Sequence, residues 1–196
     1  MKSDIIHVNA NGAGVREALA QAEAVAAYKN LPHKDGLKLR LLAEEMMGLL
    51  QGLTGEVEGE FYIEDEDNEY RLHLNTVTEM DAEKRLRLME ASSSGENAAA
   101  VGILGKLRNL FECAFEPVDA DLPPFYTLGV VEAGMDPGAM ATTAWSLARY
   151  RDAVQEDENN REAWDELERS VIAKTADEIE IGIKGSHVEM TVIKKF

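Results

Sequence analysis

The sequence predicts an α/β (α+β) two-layer sandwich in a single domain, residues 1–196. A mixed, mainly antiparallel sheet carries helices on one face, with a helical hairpin inserted before the last two strands. Three observations support this. The segment 37–53, LKLRLLAEEMMGLLQGL, repeats leucine and methionine at helical spacing. The segments 58–77 and 178–196 alternate apolar and polar residues, the period of a half-buried strand. Between them, 116–141 loses both periods before two tryptophan-bearing helical patterns follow.

Taken in order, Ile5 to Asn9 (IIHVN) is a short strand, ended by the turn chemistry of Asn11-Gly12 and Gly14. Val15 to Lys29 is an alanine-rich helix with Leu19, Ala22, Ala26 and Lys29 in register and Glu17 near its start. Pro32 breaks it, because proline disfavours helix in the residue before it. In the next helix Leu39, Leu42, Met46, Leu49 and Leu53 recur at spacings of 3, 4, 3 and 4, forming a core stripe that Ala43, Met47 and Leu50 widen. Leu37, Leu41, Gly48 and Gly52 fall on a second face, with Glu44 at its edge. A glycine costs about 1 kcal/mol against alanine in a helix interior. That face is therefore expected to meet something closely, either a packed helix or the floor of a ligand site.

Glu58 to Glu64 and Glu69 to Val77 form a hairpin around the acidic turn Asp65-Glu66-Asp67-Asn68, with Phe61, Ile63, Tyr70, Leu72 and Leu74 on its buried face. The turn lacks the glycine and terminal glutamate of an EF-hand, so it reads as a solvated tip. Asp81 to Glu90 is an amphipathic helix with Leu86 and Met89 inward, and Ala91 to Gly95 (ASSSG) is a small polar connection. Ala98 to Phe115 is a helix with Val101, Leu104, Leu107, Leu110 and Phe111 on its core face. Prolines and glycines from Glu116 to Ala141 mark a long loop or arm, with a short strand over Thr127 to Glu132 as the alternative. Thr143 to Val154 is a helix bearing Trp145, Leu147 and Tyr150. Arg161 to Lys174 is a second, capped by Asn160 and bearing Trp164, Leu167 and Val171. The two tryptophans either dock this pair or offer a partner surface. The last hairpin is Glu178 to Ile183, the turn Lys184-Gly185-Ser186, and His187 to Phe196. Ile179, Ile181 and Ile183 share one face, as do Val188, Met190 and Val192.

Charge narrows the function classes. A net charge of −17 opposes binding to a phosphate backbone, which needs a basic surface, and favours a basic or small-molecule partner. There is no secretory segment and no apolar run near 18 residues, so a cytoplasmic protein without membrane contact is expected. The single cysteine, Cys113, excludes an internal disulfide and a cysteine zinc cage, and reads as an inert thiol on an apolar stretch. No GxxxxGK[ST], HExxH or GxSxG pattern occurs. His7, His33, His73 and His187 are scattered and read as surface or strand-edge residues, and no metal site is expected. Glu44 and Glu45 are the only carboxylates inside a strongly apolar helix. Burial raises the pKa of such a group and suits a general base or water-polarising role; the alternative is that both emerge at the helix rim.

The order of elements is itself informative: short strand, helix, glutamate-bearing helix, hairpin, Ser/Gly-rich segment, helix, final hairpin. Leu42-Ala43-Glu44-Glu45-Met46-Met47-Gly48 is similar to a Glu-x-x-x-Asn helix. Leu74-Asn75-Thr76-Val77-Thr78-Glu79 stands where Asp-x-Gly-x-Gly falls at a strand end. Ser92-Ser93-Ser94-Gly95, followed by Gly102-Ile103-Leu104-Gly105-Lys106-Leu107, is similar to a glycine-rich lid. Gly185-Ser186 with Val188 looks like the Gly-Thr of a closing hairpin. In these features the chain resembles the Bergerat-fold (GHKL) ATPase superfamily, and within it histidine-kinase-like ATPase domains and anti-sigma-factor serine kinases. The resemblance covers 1–115 and 176–196 and makes 116–175 an insertion.

The resemblance implies roles. Glu44 takes the position of the catalytic glutamate that orients water. Asn75 takes that of the aspartate reading the adenine amino group, and its amide oxygen is an acceptor. Gly95, Gly102 and Gly105 stand for the lid, where a helix start faces phosphates, and Ser186 for the support of the adenine pocket. The asparagine that holds magnesium corresponds to Gly48, which offers no side-chain oxygen, and Val77 and Glu79 replace two glycines. The implied function is a cytoplasmic regulatory protein with a histidine-kinase-like ATPase fold, weakened in ATP binding and acting through protein contacts. Alternatives are an active ATP-binding serine/threonine protein kinase or ATPase, and a ligand-free assembly domain. Expected partners are a protein of regulator or sigma-factor-like kind, ATP, and a second copy of the chain; nucleic acid and membrane are not expected.

Overall fold

The computed structural model describes residues 1–53, 57–78, 145–156, 165, 169–184 and 187–196. In chain order these form β1 (Ile6–Asn9), α1 (Val15–Tyr28), α2 (His33–Gln51), β2 (Val57–Glu66), β3 (Glu69–Thr78) and β4 (Trp145–Ser146). Then come α3 (Leu147–Glu156), α4 (Val171–Thr175), β5 (Glu178–Lys184) and β6 (His187–Lys195). The strands make one sheet in the order β1-β2-β3-β6-β5-β4, antiparallel at every described pairing. The two hairpins meet where β3 pairs with β6, so the last strand lies at the centre. One core joins residues of α1, α2, α3 and α4 to a single face of the sheet, giving the expected two-layer α/β sandwich.

Helix α2 starts at His33, earlier than its apolar pattern, because Pro32 sets an extended entry (φ −51°, ψ 144°) that leaves a polar first turn exposed. Its stripe behaves as expected: Leu39, Leu42, Met46, Leu49 and Leu53 are each no more than 6% exposed. Ala43, Met47 and Leu50 widen it. At about 1.5–3 kcal/mol for each large apolar side chain removed from water, this stripe is the main tie between the layers. Helix α1 presents Ala18, Ala22, Val25 and Ala26 to the core, while Leu19 sits at the rim. Alanines on that face allow close approach: a Cβ on Gly36 would lie 3.2 Å from the Cβ of Ala26. Gly14 opens α1 at φ +73°, and a Cβ there would strike the His7 carbonyl, so this position requires glycine.

Three boundaries differ from the sequence pattern. The first hairpin turns only at Asp67 and Asn68 (φ 49° and 64°), both in the left-handed region that two-residue hairpin turns need. Asp65 and Glu66 remain in β2 because Asp65 is on the core side, where Lys29 and the Met1 amine pair with its carboxylate. Trp145 belongs to β4, opposite Ile181, rather than to a helix. The continuous helix expected over Arg161 to Lys174 is interrupted at Ser170, whose backbone is extended and whose hydroxyl accepts from the Ala173 N–H to cap α4. The segments Asp81 to Glu90, ASSSG, Ala98 to Phe115 and 116–141, with Cys113, Asn160 and Trp164, lie outside the described residues. No helix among the described residues is long and apolar enough to cross a membrane.

Two substitutions check this packing. Leu42→Ala should lower unfolding free energy by about 2–5 kcal/mol, read from the urea midpoint at an unchanged slope. For Asp65, burial alone would raise the carboxyl, but hydrogen bonds from Lys29 and the Met1 amine overcome it and hold the pKa below the ordinary 3.8. A depressed carboxyl stabilises the fold above its unfolded pKa and loses that contribution as pH falls through the folded value. Asp65→Asn should therefore lower Tm by about 3–6 °C at pH 7. That deficit should shrink as pH drops below 3.8.

Candidate functional site

The glutamate of α2 sits on its outer surface. The Glu44 side chain is 54% exposed, and Arg40 Nη1 lies 3.5 Å from its Oε2. Arg40 Nε also reaches Glu23 of α1 at 2.6 Å, so the three form a surface chain of charges. Gly48 is exposed one turn further on, and a Cβ there would meet no described atom within 4 Å. The close approach expected at Gly48 is found at Gly36 instead. The raised pKa expected of this carboxylate pair falls on Glu45, which is half-buried: burial, and then the charge of Glu44, push its carboxyl up.

Asn75 faces the other way. Along β3, Tyr70, Leu72, Leu74 and Thr76 are buried toward the helices, so the pleat turns Arg71, His73, Asn75 and Val77 to the opposite face. Register extends this face across the sheet. Glu60 is opposite Asn75, which is opposite Glu189, which is opposite Gly182. In the adjacent row Tyr62 is opposite His73, which is opposite Thr191, which is opposite Glu180. No described helix covers this face.

At its centre His73 is 8% exposed. Its ring stacks on Tyr62 with centroids 4.6 Å apart, and its Nδ1 lies 3.2 Å from Thr191 Oγ1. Two carboxylates flank it: Glu64 Oε2 is 3.5 Å from Nε2, and Glu189 Oε1 is 3.8 Å from Nδ1. Burial lowers the His73 pKa below 6.5 and prevails over these carboxylates, so the ring is neutral at pH 7. Nε2 of His73 and Oδ1 of Asn75 are buried without a hydrogen-bond partner among the described residues. Lys2 completes the face, with its ammonium 3.9 Å above the Tyr62 ring and 3.0 Å from Glu64.

Among the described residues the structure thus separates Glu44, exposed on the outside of α2, from Asn75, on the sheet face turned away from the helices. Gly95, Gly102, Gly105 and Ser186 lie outside the described residues. His73, expected at a surface or strand edge, is instead buried on a central strand, because β2 and β6 close on both its sides and Tyr62 covers its ring. Tyr62 and Thr191 were not singled out by the sequence. Their signal was strand parity, which becomes useful only once the two hairpins are in register. Among the described residues no group of three or more His, Cys, Asp and Glu is placed to hold a metal ion.

An NMR titration of the histidine rings checks the electrostatics. The His73 resonance should move with a midpoint below 6.5. Its depressed pKa should make the fold lose stability as pH falls below 6.5, a loss absent in His73→Gln. A midpoint above 6.5 would show that Glu64 and Glu189 prevail over burial. Comparison of the chain with family models, with curated proteins and with solved structures gives no match in any of the three.

Proposed function

We propose that this chain is a cytoplasmic regulatory protein with a histidine-kinase-like ATPase (Bergerat, GHKL) fold, weakened in ATP binding and acting through protein contacts. The observation that carries the reading is the separation of Glu44 from Asn75. A nucleotide whose adenine is read by one residue and whose attacking water is oriented by the other needs both in one pocket. Here Glu44 is engaged by Arg40 on the outside of α2, and Asn75 lies on the far face of the sheet. Gly48 offers magnesium no oxygen. Protein contact is favoured by a sheet face that no described helix covers and that carries Glu58, Glu60, Glu64 and Glu189, and by a net charge of −17. The partner is a protein of regulator or sigma-factor-like kind, with a second copy of the chain as a further contact. Neither nucleic acid nor membrane enters the reading.

Calorimetry tests it. Titration with ATP and magnesium should give no saturable heat at ligand concentrations up to about 1 mM, a binding free energy weaker than about −4 kcal/mol. Tight magnesium-dependent binding would overturn the weakened-nucleotide reading. Glu44→Ala should leave fold and partner binding unchanged. ATP turnover in the parent chain that vanishes in Glu44→Ala would put an active serine kinase or ATPase in its place.

A further inference from the structure

We draw no further inference here: the strongest candidate, the side-chain cluster of Tyr62, Glu64, His73 and Thr191 at the centre of the sheet face turned away from the helices, belongs to the site already described, and nothing in the structure shows what covers that face.

Discussion

Strand parity in β3 divides this molecule. Successive side chains of a pleated strand point to opposite faces. Leu72 and Leu74 must face the helices to be buried, so His73 and Asn75 must face away. The apolar stripe of α2 makes that choice binding, because a slip of one residue would expose Phe61, Ile63, Leu72 and Leu74 together. Pairing of β3 with β6 then carries the same division to Val188, Met190 and Val192 on the core side, and to Glu189 and Thr191 on the other.

The two sides manage charge differently. On the core side, the buried carboxylate Asp65 is matched by Lys29 and the Met1 amine. On the other side, among the described residues, carboxylates are more numerous than their counter-charges, and the buried His73 is held neutral by burial. A protein of net charge −17 repels itself, and such crowding is tolerable only where the side chains remain hydrated. The side chains of Glu60 and Glu189, 46% and 58% exposed, meet that condition.

Much of the architecture was legible in the sequence because it is periodic. The stripe from Leu39 to Leu53 and the alternation through Phe61, Ile63, Tyr70, Leu72 and Leu74 each specify a face without knowledge of the partner. What escaped depends on contacts distant in sequence. The length of β2 depends on Lys29 meeting Asp65, and the close approach at Gly36 depends on Ala26 of another helix. Ser170 fits a helix interior by position, yet its hydroxyl starts a new one. The placement of His73 required the register between residues more than 100 apart in sequence, Thr191 and His73. The edge position of Glu44 was read correctly from the helical period, whereas its bearing on Asn75 needed the sheet.

The claim that the sandwich keeps Glu44 and the Asn75 face apart is most directly tested by a distance between them. Spin labels at Glu44→Cys and at Glu60→Cys, the exposed cross-strand neighbour of Asn75, in a Cys113→Ser chain, would report it by pulsed electron resonance. A helix about 10 Å across and the sheet lie between the two sites, so the expected separation is roughly 20 Å or more. A single population near 10 Å would mean that both line one pocket, and would return the chain to the nucleotide-binding reading.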